Sequence, residues 1–461
     1  MQETEADEMT GRLNDFFRRV ALCVSLNYRK VLSMPAWNIV PFLLIANLAF
    51  APGCTTEQQS DITTVRFVTW KPNQPAVWDE IIELFEKEHP GITIERETGP
   101  HSSTAFHDLL TQKLKNKSPD VDVFFMDVIW PPEFAAAGWA LPLDGFFPPD
   151  EQERFLHAPV IANTYQKKIY GVPLFIDSGM LFYRKDLLDR YGFGPPETWE
   201  EMVRQAEKII AGESKKGVEL YGFSGQFKQY EGLVCNMLEY ILSNNGHILN
   251  PDTGNPEIDR EPAVRAVKFV RDRIVRGIAT AGVLTYEEPE SIAPFIQGKV
   301  VFHRNWPYAW EVANSPARSK VAGKVAITRL PHFPGGQSHA TLGGWQLGIS
   351  NYSRNRDAAW KFIQFLTGER IQKLLALKAG LAPTRKALYE DQEILGRYPQ
   401  FSGMKDVFLT AYPRPRNPLY PAISNTLQRF FSKVIADPTA DLAKEAKAAS
   451  QEIEKILALS R

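Results

Sequence analysis

Cysteine is scarce in this chain, with three residues in 461. Cys23 and Cys54 lie in an N-terminal segment that resembles an export signal, so Cys235 has no partner in the remainder of the chain. A disulfide framework is therefore excluded. We expect Cys235 to be a small buried hydrophobic residue and not a reactive thiol.

An excess of charge is also missing. The chain has 53 Lys and Arg against 54 Asp and Glu, which leaves a formal net charge of −1. This balance gives no electrostatic reason to expect a nucleic-acid partner. Composition is otherwise that of an ordinary globular protein, with 44% hydrophobic and 23% charged residues, and the length allows two domains.

The usual catalytic and cofactor motifs are absent from the sequence. It contains no Gly-rich phosphate loop ending in Lys-Ser/Thr, no His-Glu-x-x-His and no Cys-x-x-Cys. The segment Gly222-Phe-Ser-Gly225 lacks the spacing of a nucleophile elbow, and the eight histidines are scattered. We therefore predict no catalytic residue, no metal and no cofactor.

One apolar run near the N-terminus predicts export. Residues 43–54 read LLIANLAFAPGC and follow Arg29 and Lys30, in the order of a secretory signal. The run is too short to cross a bilayer, which takes roughly 20 apolar residues. Because it ends at Cys54, it resembles a bacterial lipoprotein signal. We expect a leader over residues 1–53, a lipid on Cys54, a tether over 54–60, and a location in the periplasm or on the outer face of the membrane. Cleavage without an anchor and an uncleaved membrane anchor stay open.

Strands and helices alternate through the rest of the chain, which predicts βαβ units on a parallel sheet. In such sheets ligands lie beyond the carboxyl ends of the strands, where Asp127 follows a buried strand. The predicted strands are Val65–Trp70, Ile92–Glu97, Val121–Met126, Leu181–Tyr183, Tyr221–Phe223, Val300–His303, Lys324–Arg329 and Gln346–Ile349. The predicted helices are Ala76–Glu88, Ala105–Lys115, Trp199–Ile210, Leu233–Ser243, Pro262–Arg276, Pro289–Ile296, Arg356–Leu366, Arg370–Leu377 and Pro438–Leu459.

Several motifs in one order resemble the family 1 extracellular solute-binding proteins of bacterial ABC importers, and most closely the trehalose/maltose binders. The motifs are DVFFMDVIW at 122–130, VPLFIDSG at 172–179, RNWPYAW at 304–310 and TLGGWQ at 341–346. The resemblance runs from about Val65 to the C-terminus.

The resemblance implies an α/β fold of the two-lobed periplasmic-binding-protein type (type II), with hinge strands between the lobes. The implied first lobe holds residues 61–173 and 324–367, and the second holds 174–323 and 368–461. A sugar would bind in the cleft, and the lobes would close over it.

A pyranose offers hydroxyls around its rim and apolar C–H faces, so its site needs planar polar groups and aromatic planes. The resemblance points to such residues. The implied ligand-binding residues are Gln74, Asp127, Phe175, Asp177, Trp306, Tyr308, Gly344, Trp345 and Arg414. Gln74 and Phe175 replace an acidic residue and a tyrosine of the trehalose/maltose binders, and both changes remove hydrogen-bonding capacity.

Each of these residues also has a structural alternative. Asp127 and Asp177 could be helix caps or loop carboxylates. Trp306, Tyr308 and Trp310 alternate and would share one face of an extended segment, a pattern usually found in cores, where we place Trp310. Trp345 could belong to a tight turn.

The leading function is an extracytoplasmic lipoprotein that captures a di- or oligosaccharide and delivers it to an ABC permease, acting as a monomer. The alternatives are a glycoside hydrolase using Asp127 and Asp177, and a sugar receptor feeding a membrane kinase. Release of reducing sugar distinguishes the hydrolase from the binding proteins.

Overall fold

The computed structural model describes residues 62–398, 407, 408 and 410–459. The predicted leader (1–53) and the tether beginning at Cys54 lie outside the described residues. Among the described residues, no helix combines the length and apolar character needed to cross a membrane.

The first half of the fold is built on a six-stranded mixed sheet within the described residues. In spatial order the strands are β12 (Ala382–Pro383), β6 (Val172–Ser178), β11 (Leu342–Ile349), β3 (Val123–Asp127), β1 (Thr63–Thr69) and β2 (Ile92–Thr98). Strands β1, β2 and β3 are mutually parallel. The pairs β3–β11, β11–β6 and β6–β12 are antiparallel.

The second half holds a four-stranded sheet. Its strands are, in spatial order, β10 (Val325–Thr328), β7 (Met180–Arg184), β9 (Val300–Asn305) and β8 (Tyr221–Ser224). Among these described strands, β8 and β9 form the one parallel pair. A separate two-stranded hairpin, β4 (Thr164–Tyr165) with β5 (Lys168–Ile169), lies between β3 and β6 in the chain.

Helices cover both sheets and divide between two hydrophobic cores. Helices whose buried side chains join the core of the first sheet are α1 (Pro75–Glu88), α2 (Ser103–Lys115), α3 (Pro131–Ala136), α5 (His157–Ala162), α10 (Glu288–Ile296), α11 (Ala309–Ala313), α12 (Arg356–Leu366), α13 (Glu369–Ala379) and α14 (Gln392–Arg397); the short α4 (Pro149–Gln152) has no buried residue. Those of the second core are α6 (Lys185–Arg190), α7 (Trp199–Ser214), α8 (Glu231–Leu242), α9 (Glu261–Phe269), α15 (Tyr420–Ala436) and α16 (Leu442–Ala458).

The chain passes directly from one sheet to the other at Gly179. Strand β6 ends in the first sheet at Ser178, and β7 begins in the second at Met180. The chain returns to the first sheet after β10. Strand β10 itself pairs with β7 in the second sheet, whereas the predicted boundaries assign residues 324–367 to the first lobe. The lobe boundaries stay a prediction, while hydrogen bonding puts the crossings at Gly179 and after Thr328.

A buried ion pair lies next to Gly179, at the first crossing, and is hydrogen-bonded to the chain just before β11, after the second crossing. Arg304 on β9 donates to Glu239 on α8, with Nε 2.8 Å from Oε2 and Nη2 in contact with Oε1. Glu239 also accepts a hydrogen bond of 3.1 Å from the backbone N–H of Thr341, just before β11. Both side chains of the pair are almost fully buried, so each charge depends on the other for compensation.

The residues from Trp306 to Trp310 do not form an extended segment. Strand β9 ends at Asn305, and the chain turns at once into α11. Pro307 lacks the N–H that a strand would use and suits a turn, which the bond from Trp310 N to Pro307 O (3.0 Å) closes. Trp306, Tyr308 and Trp310 therefore do not share one face of a strand.

Other elements differ from the predicted ones. The structure adds strands β4–β6 and β12 and helices α3–α6, α11, α14 and α15. In α15, Pro421 lies in the first turn, a position compatible with proline. The helix expected at Pro262–Arg276 is α9 followed by a π-helical stretch over Val270–Ile278.

Substitution of Gly179 by alanine tests the crossing. A Cβ there would lie 1.9 Å from Glu239 Oε1 and 2.6 Å from Arg304 Nη2, so Gly179→Ala must separate the buried pair. We expect a loss of about 3 kcal/mol or more in the free energy of unfolding, measured by urea denaturation. The control is Gly91→Ala, where a Cβ meets no atom within 4 Å. Equal stabilities of the two variants would contradict the role of Gly179.

Candidate ligand-binding site

A cavity of about 90 Å³ is lined by residues of strands β3, β6 and β11 of the first sheet and by the turn that follows β9 of the second. Eight of the nine residues predicted to bind ligand line it: five lie on strands of the first sheet, two follow β9, and one lies in the C-terminal segment. These residues are Asp127, Phe175, Asp177, Trp306, Tyr308, Gly344, Trp345 and Arg414.

Asp127 and Arg414 are joined on one side of the cavity. Asp127 is the last residue of β3, where it is buried, and its Oδ1 accepts hydrogen bonds from Arg414 Nη2 (3.1 Å) and from the backbone N–H of Ile129 (3.3 Å). Burial raises the pKa of Asp127, and the Arg414 guanidinium opposes that rise.

Arg414 also bonds the opposite wall. Its Nη1 donates to Glu231 Oε1 at 2.8 Å, at the first residue of α8. Glu231 accepts further hydrogen bonds from Tyr420 (2.7 Å) and from the hydroxyl of Ser424 on α15. A single guanidinium thus connects a carboxylate of the first sheet with one of the second half. Arg414 is 3% exposed and its flanking prolines restrict the backbone.

Asp177 has an unused hydrogen-bond acceptor. Its Oδ1 is shielded from solvent and has no hydrogen-bond partner among the described residues. Burial, followed by the charge of Asp127, raises its pKa to about 7. A buried carboxylate oxygen without a donor is unfavourable, and a ligand hydroxyl would remove that cost.

Gly344 and Trp345 lie where β11 is sandwiched between β3 and β6. Gly344 has φ of +120°, and a Cβ on it would lie 2.5 Å from the carbonyl oxygen of Phe175, so the close backbone approach requires glycine. Trp345 is 7% exposed and packs with Trp70, their ring centroids 5.3 Å apart. Most of Trp345 is therefore core, and only a small part of its surface faces the cavity.

Trp306 has the geometry of a fixed aromatic platform. One face of its ring lies on the guanidinium of Arg304, 4.0 Å from the ring centroid. Its indole Nε1 donates to Glu288 Oε1 at 3.2 Å, at the first residue of α10. Tyr308 is buried beside it, and Asn305 Nδ2 lies 3.4 Å from the tyrosine oxygen.

Gln74 is the predicted residue that the structure does not bring into this cavity. It precedes α1, while its neighbour Asn73 and the nearby Trp70 line the wall. His101, Ser103, Glu231 and Glu288 also line the cavity. Glu231, in a loop before a predicted helix, was a further candidate from the sequence, whereas the other three were not predicted. Glu288 begins a helix, a position common for structural carboxylates, so no local pattern marked it as part of a site.

One group of side chains within the described range has the spacing of metal ligands, namely His101, Glu287 and Glu288. Both carboxylates already have partners: Lys228 Nζ lies 2.6 Å from Glu287, and Trp306 donates to Glu288. Cys235 is buried, as expected, and burial raises the pKa of its thiol. The arrangement thus combines hydrogen-bond acceptors with aromatic planes, a combination suited to reversible binding of a polyhydroxylated ligand.

Comparison with known proteins supports this interpretation. Residues 70–373 match the family of bacterial extracellular solute-binding proteins. A probable ABC transporter-binding protein of Deinococcus radiodurans is 38% identical over 326 residues, which cover 70% of this chain and 77% of the relative. The maltotriose-binding protein of Pyrococcus abyssi is 24% identical and covers 86% of this chain and 84% of the relative.

Solved structures are similar over the same region. The maltose-bound MalE3 of T. maritima has a TM-score of 0.81 and 37% identity, covering 86% of this chain and all of that one. A ribitol complex from Agrobacterium radiobacter, 23% identical with a TM-score of 0.78, shares the fold. The predicted two-lobed α/β fold is confirmed. Binding proteins make up this family, which confirms the prediction of a non-enzyme over that of a glycoside hydrolase. The chain belongs to the bacterial extracellular solute-binding proteins, the solute-capturing subunits of ABC transporters.

Proposed function

We propose that this protein captures a di- or oligosaccharide of the trehalose or maltose type in the cavity beside Gly179 and delivers it to an ABC permease. The observation that carries the proposal is the unpartnered, solvent-shielded Oδ1 of Asp177, in a cavity that is also lined by the aromatic side chains of Trp306, Tyr308 and Phe175. The names of the relatives support sugar as the ligand class.

The side chains have separate roles in the proposed complex. The open face of Trp306 stacks on a pyranose ring, because Arg304 covers the other face. Asp177 accepts from sugar hydroxyls, and Asp127 has a second carboxylate oxygen available beside its bond to Arg414. Arg414 donates to ring or hydroxyl oxygens from its Nε, which has no hydrogen-bond partner among the described residues.

The size of the cavity implies that the walls move. Its volume of about 90 Å³ is well below the roughly 300–1,000 Å³ typical of small-molecule pockets. Entry of a disaccharide therefore requires the two sheets to move apart about the crossings at Gly179 and after Thr328. Closure around the sugar, with Arg414 joining the two walls, is the change that the permease recognises.

The site of action follows from the family. Extracellular solute-binding proteins work outside the cytoplasm, so this chain is exported. Lipid attachment at Cys54, with residues 54–60 as a tether, would hold the receptor near its permease. Metabolic labelling with a radioactive fatty acid checks this: we expect label in the wild type and none in Cys54→Ser.

The primary experiment is a titration of tryptophan fluorescence and heat release in a protein that begins after Cys54. The ligands are trehalose, maltose, sucrose, longer maltooligosaccharides and glucose. We expect a saturable change with at least one disaccharide, because Trp306 and Trp345 line the cavity. A response to none of these sugars would contradict the proposed ligand class.

Removal of Trp306 or Asp127 should weaken sugar binding. Trp306→Ala loses the stacking plane and Asp127→Ala loses an acceptor, so we expect the Kd to rise about tenfold or more, about 1.4 kcal/mol. Calorimetric titration measures the Kd, and circular dichroism checks folding. The matched control is Trp360→Ala, because that side chain packs against Phe146, on the side of the first core formed by α12. An unchanged Kd in either site variant would remove that residue from the site.

Binding should depend on pH through Asp177. Its pKa is raised to about 7, and sugar hydroxyls donate to the ionised form, so affinity should rise as pH increases from 6 to 8. In the ligand-free protein, between its ordinary pKa of 3.8 and about 7, Asp177 is protonated in the native state and ionised in the unfolded state. The free energy of unfolding therefore falls as pH rises through that interval.

Asp177→Asn removes both dependences. Calorimetric Kd values from pH 5.5 to 8.5 and thermal midpoints from pH 4 to 8 measure them. An equally steep pH dependence in the Asn variant would assign the titration to another group.

A further inference from the structure

We infer that Glu288 is a ligand-contacting residue of this cavity and that, with Asp177, it selects sugars without negative charge. The inference rests on the proposed sugar-binding function and adds a charge requirement to it. Glu288 lies at the start of α10, outside the motifs that indicated the family.

The start of α10 holds Glu288 in place. Glu287 caps the helix through a reciprocal pair of bonds with Glu290, one of them from Glu287 N to Glu290 Oε2 at 3.2 Å. The positive end of the helix dipole stabilises a carboxylate in this first turn. Glu288 is therefore a rigidly placed anion and not a mobile surface side chain.

Two observations direct Glu288 toward the cavity. Its Oε1 accepts the indole N–H of Trp306, which fixes the plane of the proposed stacking platform. Its charge also helps to raise the pKa of two neighbours. For Tyr308 burial is the largest cause and the charge of Glu288 comes next; for Asp177 burial and the charge of Asp127 are larger causes than Glu288. These side chains line the same cavity, and Glu288 itself is one of its lining residues.

The charges around the cavity do not balance. Asp127, Asp177, Glu231 and Glu288 line it, and Arg414 is the one Lys or Arg among its described lining residues. Arg414 pairs with Asp127 and Glu231. Arg304, whose charge acts on Asp177, pairs with Glu239 and lies against the ring of Trp306. Asp177 and Glu288 therefore have no ion-pair partner in the described part of the chain.

Two unpaired carboxylates accept hydrogen bonds from sugar hydroxyls but repel a ligand phosphate or carboxylate. Both side chains are half-buried, and the lower effective dielectric constant there makes this repulsion stronger than at an open surface. The ring that stacks on Trp306 must therefore present hydroxyls here, and sugar phosphates or uronic acids are excluded at that ring.

The test compares trehalose and maltose with their 6-phosphates, by calorimetry, on four proteins: wild type, Glu288→Gln, Glu288→Ala and Glu207→Gln. The glutamine side chain keeps the size of Glu288 and an oxygen for the Trp306 N–H but loses the charge. Glu207 is an exposed control that pairs with Arg273.

In the wild type we expect at least hundredfold weaker binding of the phosphate than of the parent sugar. Glu288→Gln should reduce this ratio about tenfold, because the charge repulsion is lost while the steric difference between the phosphate and the parent sugar stays the same. The affinity for the uncharged sugar should change little. Glu288→Ala should also weaken the uncharged sugar about tenfold, because Trp306 loses its partner. A ratio that Glu288→Gln leaves unchanged overturns the inference.

A ligand-free measurement separates this inference from the proposed function. Asp177 faces Asp127 at the end of β3, Arg304 on β9 and Glu288, so loss of the Glu288 charge should move the Asp177-dependent step in thermal stability to lower pH. Failure of the wild type to bind any sugar overturns the proposed function and the selection of uncharged sugars. An unmoved stability step overturns the coupling of Glu288 to Asp177, whatever the sugar result.

Discussion

The buried ion pair between Arg304 and Glu239 is the interaction on which the rest of the structure depends. It lies under Gly179, where the chain leaves the first sheet, and it bonds Thr341, where the chain has returned. Two charges buried this deeply are stable only while both are present and correctly placed. The pair therefore fixes the end of β6 relative to the start of β11, and residues of both strands line the cavity.

The same pair organises the ligand-binding surface. Trp306 rests on the Arg304 guanidinium and is held at its edge by Glu288, so the aromatic plane is set before any ligand arrives. Preorganisation of this kind reduces the entropy lost on binding. The opposite wall is set by Arg414, which connects Asp127 to Glu231. A few charged side chains thus hold both walls of the proposed binding cavity in place.

Much of the site could be predicted from short motifs. Asp127 follows an apolar run, which indicates a strand end, and β3 ends at that residue. The glycine pair before Trp345 indicated a close backbone approach, which the contact of Gly344 with the Phe175 carbonyl confirms. Gln74 was expected in the cavity but lies outside its lining, since the turn before α1 presents Asn73 instead. The position of Glu288 in the cavity lining could not be predicted, because a glutamate in the first turn of a helix is already explained by its favourable interaction with the helix dipole.

The sequence by itself determined the family, the alternation of strands and helices, and eight of the eighteen residues that line the cavity. These depend on local patterns: apolar periodicity, glycine pairs and prolines act within a few residues of their own position. Only the tertiary structure decided that β11 lies antiparallel between β3 and β6, that Pro307 turns the chain into a helix, and that Arg414 joins two distant carboxylates. These features depend on contacts between residues far apart in the chain, whose energies arise only when both sheets are folded and their charges are removed from water.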